Sequence, residues 1–455
     1  MNNQRPADDY SLYVAGGPLR RLVTGWLLLA VGSLVVGGLF TILIVLSRTP
    51  GIQDVFPLVD FFHTALVVHV DLTVLVWFLA FAGVLWSINS TEQFIAVGWG
   101  ALFLAAGGAA VISIAPFLGA GSPLMNNYVP VLRDPVFFYG LGIFGIGFVI
   151  LVLRGLFYSR PIDKNMSGEG ALGFGLYTGL LAAFITIMAL FWSYNGIPGT
   201  IQGESYYEAL FWGSGHVLQF THTQLMLVVW LWLATASGMA PSLSPRVVVI
   251  FFAIGFIPTL LTPVIYLSYD VSSPDHSVAF LMLMKYGGGL AALPLGLALV
   301  TGIVKTILRD PGYSALRGAL LFSILLFGAG GIIGFMISGS NVTVPAHYHG
   351  SIVAVTLAYM GLTYHLLPQL GFRQPAGRMV NWQPVVYGGG QLLHVLGLAW
   401  SGGYGVQRKT AGAAQGLDSI QEVAGMGMMG LGGLIAIIGG VMYLVIVFMA
   451  MRPER

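Results

Sequence analysis

The sequence has 455 residues, 56% of them hydrophobic and only 8% charged, whereas soluble domains carry about 25% charged residues. A chain so poor in charge cannot cover itself with a solvated surface, and a formal net charge of +2 without a basic cluster gives no reason to expect a nucleic-acid partner. Cysteine is absent, which excludes disulfides, thiolate ligands, iron–sulfur clusters and covalently attached c-type haem.

Residues 1–20 are polar and lack the pattern of a cleavable signal peptide. Twelve apolar runs follow, each long enough to cross a hydrocarbon core of about 30 Å. They predict an all-α membrane protein, a single integral membrane domain over 1–455, with helices at 21–46, 58–87, 93–119, 132–158, 168–193, 205–235, 245–268, 275–308, 315–338, 344–370, 380–404 and 427–452. The 63 glycines suit close packing of membrane helices. There is no internal repeat, no low-complexity tract and no separate soluble domain; the longest loops fall near 159–167 and 405–426.

Lysine and arginine placement sets the orientation. With the N-terminus cytoplasmic, the inner segments hold Arg5, Arg20, Arg21, Arg154, Arg160, Lys164, Arg246, Lys305, Arg309, Arg317, Arg373, Arg378, Arg452 and Arg455. The outer segments hold only Arg48, Arg133, Arg408 and Lys409, and Lys285 lies within a helix. A missed helix would scramble this bias downstream, so it supports both twelve helices and cytoplasmic N- and C-termini.

The histidines fall into a layer. His69 and His216 sit at similar depths in the second and sixth helices, His347 and His349 open the tenth, and His276 opens the eighth, all in the outer half. Ionisable groups inside a bilayer are costly and are functional candidates by default. For His63, His222, His365 and His394 a hydrogen bond between helices is the expected role. Several histidines at one depth point instead to haem, or to copper or iron, which neutral imidazole ligates. Residues i and i+2 on a helix point about 200° apart, so His347 and His349 can each bind a separate group on opposite sides of the tenth helix. Two haems flanking that helix fit this geometry. His69 is at matching depth to complete a six-coordinate haem with His349. The His347 haem would be five-coordinate, with His216 holding a metal opposite its open face. Arg408 and Lys409 lie in the outer loop above the layer, placed to neutralise haem propionates.

AHYHG at 346–350 resembles the helix-10 signature of the catalytic subunit of the haem–copper oxidase superfamily, which includes cytochrome c oxidases and nitric oxide reductases. FWGSGHVLQF at 211–220 resembles the helix-6 segment carrying that family's first distal-metal histidine. GYGVQRKTAG at 403–412 resembles its propionate loop, and the context of His69 resembles the low-spin haem site. The resemblance spans nearly the whole chain. It implies a low-spin haem on His69 and His349, a high-spin haem on His347, and His216 on a distal copper or iron. The sequence also departs from the family. Where the family has two adjacent histidines after helix 7, this chain reads Tyr266-Leu267-Ser268-Tyr269-Asp270 and then Pro274-Asp275-His276. His276, with Asp275, is the nearest substitute. Phe220 stands where many oxidases have a tyrosine and bacterial cytochrome c-dependent nitric oxide reductases a glutamate, and Lys285 is not at the family's usual helix-8 lysine position.

Three functions follow as expectations. The first is a terminal oxidase in the bacterial inner membrane that reduces dioxygen to water. It would be fed by a periplasmic cytochrome c or a cupredoxin or c-type cytochrome subunit and associate with other membrane subunits, with Tyr266 or Tyr269 supplying the electron and proton that Phe220 cannot. The second is nitric oxide reduction at a haem–iron site, where a carboxylate such as Asp275 favours iron over copper. The third is a dihaem subunit that relays electrons and has no distal metal.

Overall fold

The computed structural model describes residues 9–46, 61–119, 121–163, 166–239, 241–309, 314–408 and 417–452. Its spanning helices are α1 (Gly17–Leu46), α2 (Phe61–Ile88), α3 (Ile95–Phe117), α4 (Pro135–Tyr158), α5 (Gly168–Gly196), α6 (Glu204–Ala236), α7 (Pro245–Ser268), α8 (Pro274–Thr306), α9 (Ala315–Met336), α10 (Thr343–Gln369), α11 (Arg378–Gly403) and α12 (Ile420–Met451). Among the described residues, eleven of these are long and apolar enough to cross a membrane by composition alone. The remaining one, α11, is diluted by Arg378, Asn381, Gln383, Gln391 and His394, yet it packs along its length against α12 and also against α9 and α10. The architecture is a twelve-helix bundle, as the apolar runs predict. A two-stranded antiparallel hairpin, β1 (Pro123–Leu124) and β2 (Val131–Leu132), lies between α3 and α4.

Chain neighbours pack most extensively: α11 with α12, α9 with α10, α3 with α4 and α5 with α6. Burial then sorts the helices. The most apolar windows of α6, α10 and α2 are 89%, 83% and 67% buried, against half or less for the other eight of these eleven spans. The three helices that carry His216, His347 with His349, and His69 therefore form the centre of the bundle. Polar side chains are tolerated there because protein, not lipid, surrounds them.

Two local features place the site. Gly350 faces α9 so closely that a Cβ on it would lie 2.6 Å from Gly330 Cα, and this approach brings His347 against the α9 backbone. In α2, the six residues that follow His69 and Val70, Asp71–Val76, form a π-helical segment. Such segments inside α-helices are frequent at functional sites.

Candidate functional site

A histidine that binds a metal through one ring nitrogen usually donates its other N–H to an acceptor, which fixes the tautomer and the ring's direction. Three of the expected ligands share this arrangement. His69 Nδ1 lies 2.9 Å from the Gly37 carbonyl of α1, His347 Nδ1 lies 2.7 Å from the Gly330 carbonyl of α9, and His216 Nδ1 lies 2.8 Å from the Trp212 carbonyl one turn back. A carbonyl only accepts, so Nδ1 carries the proton in each and Nε2 keeps its lone pair. These rings fit haem iron or copper as donors.

His349 faces away from His347. Tyr348 packs beside it, and the structure sets His69, its expected partner, and His394 within electrostatic reach of its ring. His394 is one that the sequence assigned to an ordinary interhelical bond. His394 on α11 stands edge-on to His349 with ring centroids 4.9 Å apart, and its Nδ1 donates to the Met429 carbonyl of α12 at 2.9 Å. The other three histidines stand apart from the layer. His63 is exposed, His222 packs on Phe78 and His365 on Trp232.

On the other side of α10, His216 and His276 both pack on Phe280, with centroid separations of 6.0 and 5.0 Å. His276 is fully buried, and among the described residues neither of its ring nitrogens has a hydrogen-bond partner. An imidazole left bare in this way carries an uncompensated desolvation cost of about 1–3 kcal/mol, which a bound metal would remove. The local sequence explains how it gets there. Ser273 caps α8 by accepting the His276 N–H at 3.1 Å, and Pro274 opens the helix. That cap turns His276 inward and leaves Asp275 exposed, at the helix terminus where a negative charge is favourable. The expected set of His216, His276 and Asp275 is therefore not assembled. Among the described residues no three His, Cys, Asp or Glu side chains are placed to share one metal ion.

The two tyrosines of this region also separate. Tyr266 is buried, stacks on Trp192 and meets the His276 ring edge-on at 5.0 Å. Its hydroxyl turns to Ser193 Oγ at 2.7 Å and the Ala189 carbonyl at 3.0 Å. Tyr269 is exposed and takes no part.

A third tyrosine went unread in the sequence. Tyr128, in the hairpin turn between β1 and β2, places its hydroxyl 2.9 Å from His216 Nδ1, where it shares that N–H with Trp212. Burial and the nearby Glu208 charge hold the Tyr128 phenol well above its ordinary range. The ring lies over Gly215, where a Cβ would be only 2.2 Å away. The glycine before His216 is the one hint the sequence contains.

The same turn ties the outer loops together. Asn127 bonds both oxygens of Glu208 through its backbone and side-chain nitrogens. Arg408 donates to Asn127 Oδ1 at 3.2 Å and to Ser340 Oγ at 2.9 Å. Arg408 is thus fixed at the outer end of the site; Lys409 lies outside the described residues. Two residues beyond His69, Asp71 is buried with neither carboxyl oxygen hydrogen-bonded among the described residues, another polar group that its sequence position did not single out.

Comparison with known proteins agrees with this architecture. An uncharacterised protein of Rickettsia prowazekii is 29% identical over 93% of this chain and 95% of its own length. An uncharacterised protein of Aquifex aeolicus is 31% identical over 79% of this chain and 88% of its own. A cryo-EM structure of a heme-copper terminal oxidase dimer superposes with a TM-score of 0.73 at 15% identity, over 97% of this chain and 85% of that one, which establishes the shared fold. The family described as cytochrome c and quinol oxidase polypeptide I matches residues 21–449. The chain is a multi-pass membrane protein that belongs to this family of haem–copper oxidoreductase subunits.

Proposed function

We propose that this chain is the catalytic subunit of a respiratory oxidase of the bacterial inner membrane that reduces dioxygen to water. The observation that carries the proposal is the pair His216 and His276: one ring is oriented by Trp212 and Tyr128, and the other is fully buried with both nitrogens bare beside the same Phe280. Two haems and a facing metal, when bound, supply the gas binding and close-range electron delivery that side chains lack. The chain's own residues orient them. His69 and His349 clamp the low-spin haem, and His347, held by Gly330, supports the high-spin haem. His216 and His276 would be the donors for the distal metal. Tyr266 and Tyr128 are the phenols beside these donors. Arg408, with Lys409, balances propionate charge at the outer surface. Electrons come from a periplasmic cytochrome c or from a cupredoxin or c-type cytochrome subunit. The oxidase whose structure superposes is a dimer, and association with further membrane subunits is part of this proposal.

One observation favours a second reading. With Asp275 exposed, two histidines without a third ligand bind a metal loosely, as expected of a dihaem electron-transfer subunit. The same exposure removes the carboxylate that nitric oxide reduction at a haem–iron site needs. Metal analysis of the purified protein decides among them. One copper per two haems supports the oxidase, non-haem iron the nitric oxide reductase, and neither metal the relay.

A further inference from the structure

Each histidine of the layer whose ring direction is fixed has a backbone carbonyl for its Nδ1 proton: Gly37 for His69, Gly330 for His347, Trp212 for His216 and Met429 for His394. His349 differs. No hydrogen bond to its ring occurs among the described residues. When it ligates haem through Nε2, its Nδ1–H needs an acceptor in a site without bulk water, because an unmade buried bond costs about 1–3 kcal/mol.

The ring that packs against His349 from α11 is His394. Its Nδ1 donates to the Met429 carbonyl, so its Nε2 carries a lone pair and no proton. The two rings are edge-on, with centroids 4.9 Å apart and planes at 65°. In this edge-on contact the nitrogens do not yet face each other; two imidazoles whose nitrogens do so at about 3 Å have centroids roughly 5 Å apart, so a turn of the His349 ring, without a shift of either helix, closes the bond. His394 has little freedom to leave this place. Gly432 lets α12 come so near α11 that a Cβ would lie 2.3 Å from the His394 backbone nitrogen, and a Cβ on Gly433 would lie 3.3 Å from His394 Nδ1.

We infer that His394 is a positioning residue for the low-spin haem: when haem binds, a turn of the His349 ring brings its Nδ1–H to His394 Nε2, which accepts it and passes the polarisation on to the Met429 carbonyl. This rests on the proposed haem ligation by His349. No proton or electron changes hands. Accepting the N–H makes His349 a stronger donor to iron, which stabilises the ferric over the ferrous haem and lowers its reduction potential.

The test is a spectroelectrochemical titration of the purified full-length protein. His394→Leu removes the acceptor and should leave the six-coordinate low-spin spectrum in place while raising its potential. A tenfold change in ferric-to-ferrous preference, at the lower end of outer-shell effects on metal sites, corresponds to about 59 mV for one electron. His394→Gln restores an acceptor and should recover most of that shift, which a purely structural role would not predict. If His394→Leu fails to assemble, Gly433→Ala displaces the ring without removing it, and a smaller shift of the same sign is expected. An unchanged potential in either variant overturns the inference while leaving the ligation intact. Loss of the low-spin spectrum in both His394 variants, with it retained in His349→Leu, overturns it differently, making His394 the ligand. A wild-type protein without any low-spin haem overturns both the inference and the ligation it rests on.

Discussion

Gly350→Ala tests whether the α9–α10 seam sets the high-spin site. The new methyl would sit 2.6 Å from Gly330 Cα, 2.9 Å from Gly330 N and 3.0 Å from the Leu326 carbonyl. All three are backbone atoms, so no side chain can rotate away. Carbon contacts favour about 3.5–4.0 Å, and the helices must separate by about 1 Å. Overpacking of this kind costs roughly 1–3 kcal/mol. The same movement pulls His347 Nδ1 from 2.7 Å to roughly 3.7 Å from the Gly330 carbonyl, past the hydrogen-bond limit. A displacement of about 1 Å in a reacting group can cost on the order of 100-fold in rate. The expected outcome is a lower thermal midpoint in detergent and a weakened, broadened carbon monoxide difference spectrum of the reduced protein. Gly328→Ala is the control. It lies about 200° around α9 from Gly330, and nothing stands within 4 Å of its added Cβ; it should melt and bind carbon monoxide like wild type. A Gly350→Ala protein indistinguishable from Gly328→Ala in both assays would refute the reasoning.

Three further outcomes follow from the same geometry. His69→Ala or His349→Ala should each abolish the reduced low-spin band and leave a carbon monoxide-binding haem; normal six-coordinate spectra in both would rule out the clamp. Arg408→Glu should lower the low-spin haem potential, since losing a cation favours the more positive oxidised haem, and should loosen the loops it bonds through Ser340 and Asn127; an unchanged potential counts against the propionate role. Tyr128→Phe should destabilise the protein by about 0.5–1.5 kcal/mol, the net value of one hydrogen bond, and reduce metal retention at His216, which inductively coupled plasma analysis would read; full retention with unaltered melting would leave the tyrosine without a part in the site.

The histidine pattern of the central helices was legible in the sequence because helix geometry links spacing to direction. His347 and His349, two residues apart, must diverge, and His69 must meet the tenth helix at equal depth. The apolar runs set the helix count for the same reason, since a bilayer demands a fixed length of each span. The run at 380–404 that forms α11 is diluted by polar side chains, and the charge bias of its loops supported reading it as a span. The distal side was a different matter. Whether Asp275 or His276 faces inward depends on the Ser273 cap and on one residue of helix phase, about 100°, and the expected three-ligand set failed on that rotation. Contacts between segments distant in sequence left little local signal beyond Gly215, the small residue before His216. Tyr128 reaches His216 across 88 residues, and His394 finds Met429 across 35. Local residues and their periodicity determined which helices form and which way their histidines point. Which loop covers a ring, and which carbonyl receives its proton, follows only from helix packing, because hydrogen bonds and close glycine contacts act over a few ångströms and exist only once the helices have met.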